Sequence, residues 1–138
     1  MSWTNLEDKV VIITGGAAGI GLEVAKGFVE VGAKVMIADF AEDSGKQAVE
    51  EAGAEGSGEV AFVKCDVTKK SEVESVVEHA VEKWGSVDVL VNNAGINIPR
   101  LLVDPTGKEE LTEEVWDKVF AVNVKGQYLF AQDVARQM

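Results

Sequence analysis

The sequence predicts an α/β fold in which helices cover both faces of a doubly wound parallel β-sheet. Short runs rich in valine and isoleucine alternate along the chain with segments whose apolar residues recur at helical spacing. The strand-like runs are apolar on both faces, as expected of parallel strands buried between two layers of helices. The 138 residues contain no internal repeat and no proline-rich linker. We therefore expect one domain over residues 1–138.

The first half of the chain contains three strand-like runs separated by helical patterns. Gly32 stands where a helix C-terminal glycine is expected, between the first helix and the second strand. A glycine-rich turn at 53–58 precedes the third strand. The predicted elements are, in order, a strand at 10–13, a helix with apolar residues Ile20, Val24, Phe28 and Val31, a strand at 34–38, a helix at 44–52 and a strand at 60–65.

The second half contributes two further helices and a fourth strand. Ser71 and Glu74 have the spacing of a capping box, and the helix that follows carries its apolar residues on one face as far as Trp84. Residues 87–91 form the fourth strand, and Thr112 is placed to cap a last helix. Right-handed crossovers then predict a sheet of about four strands in the order 3-2-1-4. Its switch point lies between strands one and four.

Charge and composition exclude several classes of partner. The 13 basic and 24 acidic residues give a formal net charge of -11, which repels nucleic acids and anionic lipid surfaces. No apolar run is long enough to span a membrane, and residues 1–8 lack the pattern of a signal peptide. Cys65 is the only cysteine and His79 the only histidine, so we expect no internal disulfide and no metal site. These features fit a cytoplasmic protein.

A glycine-rich loop connects the first strand to the first helix. Its backbone N–H groups and the helix dipole can face a pyrophosphate, and its small residues let a ligand approach the backbone. A tight strand-to-helix connection can also require glycine for its positive φ alone. The residues that we expect to bind a dinucleotide in this loop are Thr14, Gly15, Ala17, Ala18, Gly19, Ile20 and Gly21.

Asp39 ends the second strand, 18 residues after Gly21. At this position a carboxylate can accept hydrogen bonds from both hydroxyls of an adenosine ribose and repel a 2′-phosphate. No basic residue lies near Asp39 in the sequence, the nearest downstream being Lys46. Asp39 can alternatively be a solvated turn residue. The pattern favours NAD over NADP as the cofactor.

Two further turns follow predicted strands at the same edge of the sheet, Cys-Asp-Val-Thr at 65–68 and Asn-Asn-Ala-Gly at 92–95. Each of them alone is also compatible with a simple turn. Together with the Gly-x-x-x-Gly-x-Gly spacing of the first loop, they make essentially the whole chain resemble the short-chain dehydrogenase/reductase family. The resemblance implies a Rossmann-type NAD-binding domain. Its implied contacts are Asp66 and Val67 with the adenine, and Asn93, Ala94 and Gly95 with the nicotinamide ribose.

The resemblance also implies four catalytic groups: a tyrosine, a lysine four residues after it, a serine and an asparagine. Asn123 matches the asparagine, which in the family anchors a proton-relay water; alternatively it is a polar residue that bends a helix. Tyr128 is the only tyrosine and is followed by Gln132 instead of lysine, so we expect it to be a packing residue. No lysine follows Lys125. We expect the amino-terminal portion of a longer dehydrogenase, inactive by itself.

The loop before the last helix bears on the substrate. Residues 98–104 and 135–138 are similar to segments of bacterial sorbitol-6-phosphate 2-dehydrogenases, which implies interconversion of a polyol, such as sorbitol 6-phosphate, and a ketone. Arg100 can neutralise a substrate phosphate or, equally, pair with a nearby carboxylate. In the family the long helix, here 116–138, packs in a subunit interface. We therefore expect a homo-oligomer, also because strand four lies at an edge of the predicted sheet.

Two other interpretations fit parts of the sequence. A non-catalytic NAD-binding module or sensor, completed by a partner chain with the missing groups, would carry the same motifs. A flavodoxin-like phosphate-binding regulator would share the sheet, but it does not explain Asp39 together with residues 92–95. The favoured hypothesis is the NAD-binding portion of an oxidoreductase that acts on a small-molecule alcohol or ketone.

Overall fold

The computed structural model describes residues 3–138 and contains a four-stranded parallel sheet. The strand order is β3-β2-β1-β4, so the predicted order 3-2-1-4 is confirmed. The carboxyl ends of all four strands lie at one edge because every pairing is parallel. The strands are β1 (Val10–Thr14), β2 (Lys34–Asp39), β3 (Glu59–Lys64) and β4 (Val89–Val91).

Helices cover both faces of the sheet, and the side chains of each strand alternate between two cores. Ile13 packs in the core formed with the first two helices, whereas its neighbour Ile12 packs in the core formed with the third and the last. Both isoleucines are fully buried. The helices are α1 (Gly19–Glu30), α2 (Glu42–Gly53), α3 (Lys70–Trp84), α4 (Glu113–Phe120) and α5 (Gly126–Gln137).

Strand β4 begins at Val89, two residues later than the predicted strand at 87–91. The Asp88 backbone N–H donates to the Val10 carbonyl at 2.8 Å, but the Val10 N–H donates to the Asp88 carboxylate, also at 2.8 Å, and not to a backbone carbonyl. The side chain of Asp88 thus replaces one acceptor of the backbone ladder. Regular pairing begins only at Val89, opposite Val11.

The capping box predicted at Ser71 and Glu74 is wrong. Helix α3 begins at Lys70, and its N-cap residue, Lys69, makes no side-chain capping hydrogen bond. The carboxylate of Glu72 instead accepts the backbone N–H of Asp66 at 3.2 Å. Ser71 is therefore the second residue of the helix and not its N-cap, and the Glu74 carboxylate lies 3.8 Å from the Lys70 ammonium.

The last helical region is one path interrupted by a single π-helical segment. The predicted cap at Thr112 is confirmed, since its hydroxyl oxygen accepts the Val115 N–H at 3.2 Å. Helix α4 passes directly into the π-helical segment Ala121–Lys125, and α5 follows without a break. Segments of this type place an extra residue in the helix and occur often at functional sites. Asn123 lies at the centre of this one.

The connection between β4 and α4 folds on itself. Leu101 forms an isolated bridge with Glu110, and its N–H donates to the Glu109 carbonyl at 2.8 Å. The carboxylate of Asp104 accepts the Glu109 N–H at 2.7 Å and the Thr106 N–H at 2.9 Å. These bonds, that from Glu109 foremost, lower the pKa of Asp104 below its ordinary value. The apolar side chains of this loop, Leu101, Leu102 and Val103, remain exposed to solvent.

Several large apolar side chains lie on the surface of the last helical region. Trp116 and Phe120 stack with ring centroids 4.6 Å apart, and Val124 and Tyr128 continue the same row at four-residue intervals. Tyr128 is 54% exposed, so it does not pack in the core of this chain. Within residues 3–138 we find no helix with the length and apolar character needed to cross a bilayer.

Candidate cofactor-binding site

A cavity of about 570 Å³ opens at the carboxyl edge of the sheet, where the switch point was predicted. It receives residues from the ends of all four strands and from the last helical region. Eight of the residues predicted to bind cofactor line it: Gly15, Ala18, Asp39, Asp66, Val67, Asn93, Ala94 and Gly95. Its other lining residues were not predicted: Ala38, Phe40, Cys65, Ile96, Lys118 and Val122.

The glycine loop has no space for side chains at two of its positions. Gly15 adopts φ +67°, and a Cβ atom there would lie 2.9 Å from the Ala94 Cα atom. A Cβ on Gly21 would lie 2.2 Å from the Gly15 carbonyl oxygen and 2.6 Å from the Asn93 amide nitrogen. The loop therefore approaches both the first turn of α1 and the turn after β4 as closely as backbone permits.

The amino end of α1 faces this loop. Its first residues, beginning with Gly19 at φ +57°, have no intrahelical carbonyl to accept their N–H groups. Such a helix start attracts anions through these donors and through the helix dipole. The side chains contribute less, because Ala17 is buried and Ile20 is 78% exposed. A contact of Ala17 with a ligand would therefore be made through its backbone, whereas the Ile20 side chain is open to solvent.

Thr14 joins the glycine loop to the turn after β4. Its buried hydroxyl oxygen accepts the backbone N–H groups of Asn93 and Ala94, both at 3.0 Å. The Asn93 amide returns two bonds, donating to the carbonyls of Thr14 and Gly15 at 3.2 Å each. Asn92 ties the same turn to α5 by donating to the Gln127 carbonyl at 3.1 Å. The two motifs on either side of the switch point are therefore one hydrogen-bonded unit.

Asp39 lies at the end of β2, beside the glycine loop. One carboxylate oxygen accepts the Ala17 N–H at 3.1 Å, and the other accepts the Ala41 N–H at 3.0 Å. Each oxygen has a second lone pair, so the carboxylate retains acceptor capacity towards a ligand hydroxyl. The expectation that no base lies nearby fails in three dimensions, because Lys64 is the register partner of Asp39 on β3.

Cys65 and Asp66 directly follow β3 and line the cavity. Partial burial raises the pKa of Asp66, but the hydrogen bonds from the Thr68 hydroxyl and N–H outweigh it and leave the pKa below its ordinary value. The carboxylate is thus held ionised in an Asx turn, the alternative considered for this motif. The Cys65 thiol is buried, and burial raises its pKa to about 12. Burial therefore keeps it as the neutral thiol at neutral pH.

Asn123 uses its whole side-chain amide to hold the loop after β4. Its Oδ1 accepts the Ile96 N–H and its Nδ2 donates to the Ile96 carbonyl, both at 2.8 Å. Asn123 itself does not line the cavity, whereas Ile96 does. Asn123 lies within the π-helical segment and contacts the cavity wall through Ile96.

Arg100 pairs with a nearby carboxylate, which was the alternative to binding a substrate phosphate. Its guanidinium lies 3.5 Å from the Glu109 carboxylate and donates to the Pro99 carbonyl at 2.8 Å. Both contacts lie within the loop between β4 and α4, outside the cavity lining. Among residues 3–138, no group of three or more histidine, cysteine or acidic side chains is arranged to hold a metal ion.

The sheet order, the helix start and the position of the cavity define a nucleotide-binding α/β protein of the Rossmann type. A family model described as short chain dehydrogenase matches residues 9–138. The chain belongs to the short-chain dehydrogenase family.

Relatives cover the chain almost completely, but the chain spans only about half of their length. Short-chain dehydrogenase reductase 3a of Arabidopsis thaliana is 42% identical over 138 residues, which are 100% of this chain and 51% of that protein. Sorbitol-6-phosphate 2-dehydrogenase of Klebsiella pneumoniae is 38% identical over 140 residues, covering 99% of this chain and 49% of the relative.

Solved structures show the same coverage. A short-chain dehydrogenase/reductase from Burkholderia phymatum in complex with NAD superimposes with a TM-score of 0.87 at 32% identity, over 96% of this chain and 45% of that one. A short chain dehydrogenase from Mycobacterium smegmatis also gives a TM-score of 0.87, at 34% identity, over 96% of this chain and 53% of that one.

Proposed function

We propose that the cavity binds NAD(H) and that the chain is the cofactor-binding portion of an oxidoreductase. The observation that carries the proposal is that the start of α1, Asp39 and the turn at 92–95 adjoin a single cavity of about 570 Å³. The residues fit a dinucleotide: a pyrophosphate at the α1 amino end, an adenosine ribose at Asp39, the adenine beside Asp66 and Val67, and the nicotinamide ribose along residues 93–95. The similar Burkholderia phymatum protein was solved with NAD.

The preference for NAD over NADP rests on Asp39 in this proposal. Its carboxylate is half-buried and fixed by two backbone N–H groups, so it cannot turn away from a 2′-phosphate without losing them. Titration of the chain with NADH and NADPH, followed by cofactor fluorescence, tests this cofactor preference. NADH should bind more tightly, and Asp39→Asn should narrow the difference. Glu78→Gln, which removes an exposed charge from α3, is the matched control and should leave the difference unchanged.

Binding of neither cofactor at millimolar concentration would overturn the proposal. Binding of both with equal affinity would overturn the role of Asp39 and leave the cavity as a dinucleotide site. The cofactor would supply the hydride acceptor, and the chain's own residues would position it.

Asn123 is the position of this chain that we propose to serve the chemistry. Its amide fixes the backbone of Ile96 at the cavity wall, which supports a positioning role next to the nicotinamide ring of the proposed cofactor. A proton must also leave the substrate hydroxyl during hydride transfer, and that step requires an acid or base. Tyr128 is followed by Gln132 in place of the family's lysine, and its side chain is exposed. We therefore propose that this chain alone binds cofactor without turnover.

A polyol phosphate is the proposed substrate class of the whole enzyme. Its support is the 38% identity to the Klebsiella pneumoniae sorbitol-6-phosphate 2-dehydrogenase, although the plant relative is 42% identical. Because Arg100 pairs with Glu109 at 3.5 Å, a substrate phosphate would have to compete with that carboxylate. An assay of NAD reduction with sorbitol 6-phosphate should give no turnover with this chain alone. Turnover well above the blank would contradict the assignment of the missing groups.

The proposed assembly is a homo-oligomer that covers the exposed apolar row on α4 and α5. Trp116 and Tyr128, at its two ends, are 53% and 54% exposed. Sedimentation of the chain should show a dimer or higher species, and Trp116→Ser with Phe120→Ser should shift it towards the monomer. A monomer at all concentrations would refute this.

A cytoplasmic location stays part of the proposal because Cys65 is a buried free thiol.

A further inference from the structure

Lys64 does not line the cavity, but it lies next to two residues that do, Asp39 and Phe40. It is the last residue of β3 and the register partner of Asp39, so the two side chains leave the sheet on the same face. Its ammonium lies 5.5 Å from the centre of the Phe40 ring, and Phe40 itself lines the cavity while remaining 68% exposed. The cation thus contacts a ring that forms part of the cavity wall.

No carboxylate of residues 3–138 lies within ion-pair distance of the Lys64 ammonium. Lys46, the base nearest to Asp39 downstream in the sequence, differs in this respect because it pairs with Glu42 at 3.4 Å. Asp39, the acid nearest to Lys64 in the sheet, directs its oxygens to two backbone N–H groups instead. The Lys64 charge is therefore available to a ligand anion.

We infer that Lys64 is a specificity-determining residue that acts against Asp39 on the adenosine 2′-position. When an adenosine ribose is bound at the Asp39 carboxylate, a phosphate on its 2′-oxygen would be repelled by Asp39 and attracted by Lys64. Asp39 dominates because it is fixed and lies at the ribose itself. The inference rests on the proposed binding of a dinucleotide at this cavity, and it predicts that the site accepts NADP once the Asp39 charge is removed.

Four forms of the chain test this: wild type, Lys64→Met, Asp39→Asn and the double variant. Methionine keeps an apolar stem over Phe40 while removing the charge. Lys83→Met is the matched control, because Lys83 makes the same kind of contact, 5.6 Å from the Trp84 ring, while Trp84 bonds to Glu59 at the opposite end of β3. NADH and NADPH are titrated against each form at about 0.15 M and about 1 M salt.

The expected result is a loss of about fivefold in NADPH affinity on Lys64→Met, with NADH affinity changed by less than about twofold. Asp39→Asn should bind NADPH more tightly than the wild type does. The double variant should bind NADPH about fivefold more weakly than Asp39→Asn alone. At about 1 M salt these differences should nearly vanish, because the Debye length falls to about 3 Å. A purely structural role of Lys64 would not follow salt in this way.

Equal NADPH affinities for Lys64→Met and Lys83→Met, with NADH binding intact, would overturn the inference and leave the proposed function standing. Equal losses for NADH and NADPH on Lys64→Met would also overturn it, because the lysine would then serve the shared part of the cofactor. Failure of the wild-type chain to bind NADH would overturn the proposed function and the inference together.

Discussion

Gly21→Ala adds one methyl group at the most crowded point of the glycine loop. Its Cβ would lie 2.2 Å from the Gly15 carbonyl oxygen, whereas real Cβ atoms essentially never come within 3.0 Å of such a neighbour. The loop or α1 must therefore shift by most of an ångström. The shift also threatens the bond of 3.2 Å from the Asn93 amide to the same carbonyl.

The size of the effect on folding can be worked out from these contacts. Overpacking costs about 1–3 kcal/mol, and the weakened hydrogen bond costs about 1 kcal/mol. Against this, alanine at a helical position gains at most about 1 kcal/mol over glycine. We expect the free energy of unfolding to fall by about 1–3 kcal/mol. NADH affinity should fall at least tenfold, because the displaced backbone is the part that faces the pyrophosphate.

Urea unfolding and NADH titration measure the two effects, and Gly27→Ala is the control within the same helix. A Cβ on Gly27 has no neighbour within 4 Å. That variant should be more stable by up to about 1 kcal/mol and should bind NADH normally. If Gly21→Ala matches it in both stability and affinity, the close approach of the loop to α1 is refuted.

Other substitutions around the cavity have separate consequences. Thr14→Val leaves the N–H groups of Asn93 and Ala94 without their acceptor and should lower the free energy of unfolding by about 2–4 kcal/mol in urea, whereas Thr14→Ser should keep most of it. Asn123→Ala removes both bonds to Ile96, so the Ile96 amide should exchange hydrogen faster; unchanged protection would contradict the contact. Burial raises the pKa of Cys65 from 9.0 to about 12, so between these values the unfolded chain binds fewer protons and stability falls as pH rises. Relative to Cys65→Ala, the wild type should lose about 1.4 kcal/mol per pH unit in that range, and parallel stability curves would show the pKa to be ordinary.

The strand order and the cavity position could be predicted because they depend on strong local signals. The strands are apolar on both faces, which is possible only between two helical layers, and right-handed crossovers then leave few topologies. The glycine loop and the turn at 92–95 meet because both follow strands whose carboxyl ends share one edge. Thr112 was identifiable as a cap because its hydroxyl acts within one helical turn.

The features that were missed have separate causes, of which contact between residues distant in sequence is one. Lys64 is 25 residues from Asp39 in the chain but opposite it in the sheet, so a search for neighbouring bases along the sequence could not find it. The capping box at Ser71 failed because α3 begins one residue earlier, at Lys70, which places Ser71 inside the helix. The π-helical segment at 121–125 covers only five residues, which is too short for a periodicity window of 11–18 residues to distinguish it.

The central claim is that the carboxyl edge of the sheet binds NAD(H), and amide chemical-shift mapping tests it most directly. Titration of the isotopically labelled chain with NADH should shift the amides of residues 15–21, Asp39, Asp66 and residues 93–95, while α2 and the carboxyl half of α3 stay unchanged. Shifts confined to another surface, or no shifts at millimolar NADH, would contradict the claim.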